Sequence, residues 1–165
     1  MTDKRMDYSR AVGGAALGAR LRRLSERIDR ETAQIYASQD VHFEQRWFGI
    51  LNQIVLNGAM TVGEIADALC VTHVSVSQAR RALEAAGLVQ ARSDEADARR
   101  RLLSLTAQGD LLVASLAPLW KALNESAEEL DAEAGHLVPL LDRLEDALDG
   151  RPLAARVAAR IDLAN

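Results

Sequence analysis

Between Thr61 and Thr106 the chain reads TVGEIADALCVTHVSVSQARRALEAAGLVQARSDEADARRRLLSLT, and this stretch decides the fold. Thr61-Val-Gly-Glu64 has the spacing of a capping box. The Thr hydroxyl accepts from the third helical amide while the Glu side chain reaches back. A helix therefore starts at Val62 and buries Ile65, Ala66 and Leu69. Cys70-Val71 reads as a turn, and Thr72 as the N-cap of a second helix running to Ala86. Gly87 supplies a left-handed residue, with Leu88 as the apolar partner that closes the helix end. Leu88–Arg92 and Arg101–Leu105 read as short strands around Ser93–Arg100, which is too long for a two-residue turn and predicts a wing. Thr106 then caps a further helix. Two short helices in a tight turn followed by a β-hairpin predict a winged helix, a frame that sets one helix into a DNA major groove.

Outward from this segment the pattern is helical. Residues 1–14 read as a flexible tail. Leu17, Leu21, Leu24, Ile28 and Ile35 form one stripe on a helix from about Ala15 to Ala37, long enough to serve a dimer interface. Glu44 to Leu56 predicts a helix bearing Trp47, Phe48, Ile50, Leu51, Ile54 and Val55, apolar around much of its circumference and so buried centrally, and ended by Gly58. After Thr106, Leu112, Leu116, Leu119, Leu123 and Leu130 continue the helical spacing, with Pro118 an expected kink. Leu137, Leu141, Leu144 and Leu148 make another stripe, closed by Gly150-Arg-Pro152, and Leu153, Val157 and Ile161 a last short helix. The expected organisation is a tail (1–14), N-terminal helices for core and dimerisation (15–57), a winged helix-turn-helix (58–106) and C-terminal dimerisation helices (107–165). The expected class is mainly α with a two-stranded wing.

Composition agrees. Of 165 residues 48% are hydrophobic, enough for a core, while aromatics are only 4%, which favours helix-on-helix packing. No apolar run approaches the roughly 18–20 residues of a membrane span, and the N-terminus is too charged for a secretory signal. Cys70 stands alone, so a disulfide framework within the chain is excluded and a cytoplasmic setting, beside the nucleoid, is expected. The net charge of −4 looks unsuited to DNA, but its distribution is uneven. Acids crowd Asp110 to Gly150, whereas Arg80, Arg81, Arg92, Arg99, Arg100 and Arg101 gather in the winged segment. Such a chain can hold DNA at one surface and repel it elsewhere.

On the second helix of the turn, Val76, Ala79 and Leu83 fall within about 60° of one another and face the core. Val74, Ser75, Gln78 and Arg81 face away, and Thr72 and His73 sit at the N-terminal tip, where amides are free for phosphate. Gln78 has the two-pronged chemistry for adenine, Arg81 that for guanine or phosphate, and Val74 a methyl surface for thymine. An ordinary solvated helix face offers similar residues; the capped helix before it and the wing after it favour DNA. At the wing tip Asp97 lies two residues before Arg99 and can orient it toward a narrow minor groove. Arg92 at the wing base is a phosphate candidate, and Arg100 joins the basic set.

The TH-x-S-V-S-Q helix, the EAAGLV connection, the D-x-R wing and the RLLSLTAQG exit resemble the MarR family of bacterial transcription regulators. The elements ARLRRLSERI and FEQRWFGIL are similar to the MarR-type domains fused to GNAT acetyltransferases, although no acetyltransferase domain is expected here. The resemblance implies a homodimeric repressor that binds a pseudo-palindrome of double-stranded DNA. It implies DNA contacts from Thr72, His73, Ser75, Ser77, Gln78 and Arg81 on the recognition helix, with Asp97 and Arg99 on the wing. It also implies release by a small aromatic or phenolic ligand, for which Tyr36, His42, Phe43, Trp47 and Phe48 are the candidate lining; the same aromatics equally suit a core or dimer interface. Cys70 replaces the usual Gly of the turn, which tightens or strains it, and Arg80 replaces a usual apolar residue, which implies that its stem packs on the core while its head reaches solvent or phosphate. Cys70 has no basic neighbour in sequence that would lower its thiol pKa. His42, His73 and His136 are scattered, which excludes a structural zinc site, and neither a cofactor loop nor a catalytic constellation is present. The alternative reading is a winged helix used for protein interaction, or as a regulatory subunit of a separate acyltransferase.

Overall fold

The computed structural model describes residues 7–93, 97 and 100–162. The chain divides into two compact units, Met1–Leu112 and Val113–Asn165.

The first unit opens with a helical turn, α1 (Tyr8–Ala11), capped by Asp7, whose side chain accepts from the Ser9 amide. A 3-10 turn (Gly13–Ala16) leads into α2 (Leu17–Ser38). The expectation of a tail through residue 14 is corrected from Asp7 onward, because the Asp7 cap and an ion pair to Arg23 at 2.8 Å fasten this segment to α2. Helix α3 (Gln45–Asn57) ends at Gly58, whose φ of 77° only glycine adopts without strain. Trp47, Ile50, Leu51 and Ile54 are buried on it, each side chain of this size contributing roughly 1.5–3 kcal/mol. Phe48 is only half-buried and Val55 is exposed, so α3 is apolar on one broad face and not around its circumference.

Strand β1 (Met60–Thr61) precedes α4 (Val62–Ala68), and the Thr61–Glu64 capping box is formed in both directions. Helix α5 (His73–Ala85) is capped by Thr72. It ends as the sequence implies: Gly87 has φ 71°, and the Leu88 amide reaches back to the Leu83 carbonyl at 2.9 Å. Strands β2 (Val89–Ser93) and β3 (Arg101–Leu105) pair antiparallel, with Val89 opposite Leu105 and Ser93 opposite Arg101.

The expected two-stranded wing is a three-stranded sheet in the order β1-β3-β2, because Met60 and Thr61 pair with Leu103 and Leu102. The core under this sheet takes Ile65, Ala66, Val76, Ala79, Leu83, Leu88, Val89 and Leu103, all buried.

Helix α6 (Ala107–Glu133) begins in the first unit and runs through Pro118 as one element. Its N-cap is Thr106, whose hydroxyl accepts from the Gly109 amide at 3.0 Å and donates to the Gly87 carbonyl at 2.6 Å. Gly109 is packed so closely that a Cβ there would stand 2.1 Å from the Leu88 carbonyl oxygen. In the second unit α7 (Val138–Gly150) and α8 (Leu153–Asp162) follow. The reversal before α7 uses Gly135 at φ 85° and His136 at φ 61°, and Asp131 accepts from the Val138 amide at 2.8 Å. Among the described residues no helix is long and apolar enough to cross a membrane.

Candidate nucleic-acid interface

Helix α5 has two faces fixed by its own sequence. Val76, Ala79 and Leu83 are 2%, 3% and 0% exposed and anchor it to the core, whereas Val74 on the other side is 65% exposed. Ser75, Gln78 and Arg81 share that open side, and Thr72 and His73 lie open at its N-terminal end. Ser77 is half-buried and stands at the margin of the face. The helix is set by its cap: Thr72 Oγ1 accepts from the Ser75 amide at 3.1 Å and lies 2.9 Å from Ser75 Oγ. The His73 ring lies over Gly63, where an added Cβ would meet Cε1 at 3.4 Å. One helix thus presents a methyl surface, hydroxyls, a carboxamide and a guanidinium on one solvent face, the chemistry of major-groove reading.

The turn between α4 and α5 carries the strain that its sequence implies. Cys70 is exposed and has φ 51°, a left-handed conformation costing a non-glycine residue on the order of 1–2 kcal/mol. The turn is held by the Cys70 amide donating to the Asp67 carbonyl at 3.2 Å and the Val71 amide to the Ala66 carbonyl at 3.0 Å. Arg80 is half-buried. Its Nε is buried without a hydrogen-bond partner, 3.7 Å from Glu84 on the next turn.

At the wing, Arg92 is exposed on β2. Asp97 is exposed, and its carbonyl accepts from the Arg100 amide at 2.9 Å. Arg99 lies outside the described residues. Arg100 Nη2 donates to Glu64 Oε1 at 2.5 Å. Glu64 also accepts from the Thr61 amide at 2.7 Å and the Thr61 hydroxyl at 2.9 Å. The Thr61 amide above all, then its hydroxyl and Arg100, hold the Glu64 carboxyl below its ordinary pKa, so it stays charged. The sequence reading missed this role of Glu64: it predicted the cap, but nothing local joins Glu64 to a residue 36 positions away.

The aromatic candidates are gathered in space. The Tyr36 and Phe43 rings are 4.7 Å apart, Phe43 and Trp47 5.7 Å, and His42 and Trp47 6.0 Å. Tyr36, Phe43 and Trp47 are buried, Phe48 is half-buried and His42 is exposed. The Trp47 Nε1 is buried without a hydrogen-bond partner, and the Tyr36 hydroxyl is 3.5 Å from Gln45 Oε1. Among the described residues no three His, Cys, Asp or Glu side chains come together as a metal site requires.

A capped helix-turn-helix with an open polar face and an adjoining antiparallel hairpin defines a winged-helix DNA-binding protein. Residues 42–100 match the model of the MarR family, whose members are transcriptional regulators and not enzymes. No curated protein gives a match. Solved structures do. BpsR of Bordetella bronchiseptica, whose DNA binding is regulated by 6-hydroxynicotinic acid, is similar with a TM-score of 0.66 and 26% identity over 78% of this chain and 92% of its own. NMB1585 of Neisseria meningitidis, a MarR family regulator, gives 0.55 and 27% over 92% and 97%. A MarR/EmrR family regulator from Acinetobacter sp. ADP1 shares the fold, with a TM-score of 0.67 and 20% identity over 82% and 96%.

Proposed function

We propose that this protein is a homodimeric repressor that binds a pseudo-palindromic duplex operator. Each protomer lays α5 in a major groove and turns the wing, with Arg99 at its tip, toward the neighbouring minor groove. The reading rests on one observation above all: α5 keeps Val76, Ala79 and Leu83 in the core and leaves Thr72, His73, Val74, Ser75, Gln78 and Arg81 open on one side. A two-fold dimer then selects half-sites about one helical turn, ~10 bp, apart.

Dimerisation is supported by apolar surface that a single chain leaves uncovered. Leu17, Leu24, Ile28 and Ile35 on α2 are 37–54% exposed, and Leu153, Val157 and Ile161 on α8 are 47–65% exposed. Regular stripes of this kind are what helices present to partner helices. The protein acts in the cytoplasm, on the nucleoid.

Release by a small aromatic ligand at Tyr36, His42, Phe43, Trp47 and Phe48 is supported by the buried Trp47 Nε1, a donor with no acceptor. The regulation of BpsR by 6-hydroxynicotinic acid favours an aromatic acid as the ligand class.

Selection from random duplex DNA, followed by affinity measurements across salt concentrations, tests the proposal. An enriched inverted repeat with a steep salt slope is expected. Weak, motif-free binding together with capture of an acyltransferase would favour the interaction-module reading instead.

A further inference from the structure

We infer that Arg100 serves as a positioning residue of the wing, locked by Glu64 to the start of α4, and not as a contact to phosphate. The inference rests on the DNA-binding reading and assigns a different job to one of its basic residues.

The geometry is a small closed circuit. Thr61 pairs with Leu102 across β1 and β3. From Leu102 the chain runs back through Arg101 to Arg100, whose guanidinium reaches Glu64 Oε1 at 2.5 Å. Glu64 Oε2 returns to the amide and hydroxyl of Thr61 at 2.7 and 2.9 Å. One carboxylate oxygen is therefore held by the helix cap and the other by the wing. A free surface carboxylate would swing with its rotamers, but this one is fixed by a backbone amide and so makes a rigid post. The Arg100 amide, bonded to the Asp97 carbonyl at 2.9 Å, carries the restraint into the wing turn.

Charge points the same way. A phosphate approaching Arg100 would meet the Glu64 carboxylate beside it, so the pair offers DNA little net positive charge. Arg81 and Arg92 are open and unencumbered by this pair. The side chains of Arg100 and Glu64 are 45% and 47% exposed, so the pair acts through geometry more than through binding energy.

Two variants separate the roles. Glu64→Gln keeps the capping box, since Gln serves at that position, but removes the charge that holds Arg100; Arg100→Gln removes the other half. With the duplex enriched from random DNA, each single variant is expected to bind about threefold to fivefold more weakly, as an exposed ion pair permits. The double variant should bind no more weakly than the weaker single. The slope of log affinity against log salt should stay at the wild-type value. Amide exchange of Ser93 and of Arg101–Leu105 in the free protein should quicken alike in both single variants. A slope shallower by about 0.9 for Arg100→Gln, with Glu64→Gln binding as well as wild type or better, would make Arg100 a phosphate contact and overturn the inference. Unchanged affinity and exchange in all variants would also overturn it while leaving DNA binding intact. A wild-type protein that bound no duplex at all would instead bring down the DNA-binding reading, and this role with it.

Discussion

Thr72 and Ser75 are bonded twice across the first turn of α5: Thr72 Oγ1 accepts from the Ser75 amide at 3.1 Å, and the two hydroxyl oxygens are 2.9 Å apart. The cap and the open face of α5 thus share a residue. Thr72→Ala leaves the Ser75 amide without its partner and should lower stability by about 1 kcal/mol, read as a shift in the urea midpoint. DNA affinity should fall further than that loss of stability alone explains, because Ser75 also loses its orientation. An unchanged midpoint would show that solvent replaces the cap fully.

Gln78 is exposed at the middle of the open face, one turn from Val74. Gln78→Ala should cost about 1–3 kcal/mol on the selected duplex and relax preference at one base position. Binding of a set of single-base operator variants measures this. An equal loss on every sequence would mean that Gln78 reads no base.

Cys70 holds φ 51° in the turn before that helix. Cys70→Gly removes left-handed strain of about 1–2 kcal/mol but adds chain entropy to the unfolded state, so a net gain of roughly 0.5–1 kcal/mol is expected. Chemical denaturation of the reduced protein measures it. A loss of stability would show that the thiol contributes packing or a bond that outweighs the strain; Cys70 Sγ lies 3.7 Å from the Asp67 carbonyl.

Leu24 and Ile28 on α2 are 43% and 54% exposed. Replacing both by Glu should convert the proposed dimer to monomer in sedimentation experiments and abolish cooperative binding to the selected duplex, with the winged-helix core unaffected. A dimer that survived would move the interface off α2.

Glu64 is the group whose acid titration bears on the wing. Its carboxyl is held below its ordinary value of 4.5, first by the Thr61 amide, then by the Thr61 hydroxyl and Arg100. A folded-state pKa below the unfolded one contributes stability that is present above the unfolded value and lost as pH falls through the folded one. The difference in melting temperature between wild type and Glu64→Gln should therefore be present at neutral pH and vanish below the carboxylate range. A difference that persisted in acid would assign the effect to the shape of the cap and not to its charge.

The parts of this fold that were legible in the sequence are those governed by rules acting over a few residues. The Thr61 capping box, the Thr72 cap, the Gly87 helix end and strand Arg101–Leu105 are local, and each forms where its residues imply. So is the open face of α5, because Val76, Ala79 and Leu83 fix its rotation. Strand β1 was not legible: a two-residue strand has no alternation, and only its distant partner Leu102–Leu103 makes it a strand. Phe48 and Val55 misled because apolar residues do not announce which side of a helix the core lies on. The Glu64–Arg100 bond escaped for a related reason, since it joins two elements that only tertiary pairing brings together.

Gly109 has one further consequence. Its bare Cα sits against the Leu88 carbonyl, while Thr106 ties its amide to that same oxygen at 3.0 Å and its hydroxyl to the Gly87 carbonyl. The end of α5, the root of β2 and the start of α6 are thereby bolted at a single point. The spacing between the end of α5 and the root of β2 is thus set by backbone contacts and not by exchangeable side chains. A side chain at position 109 would therefore pry apart three elements at once, and not loosen one of them alone.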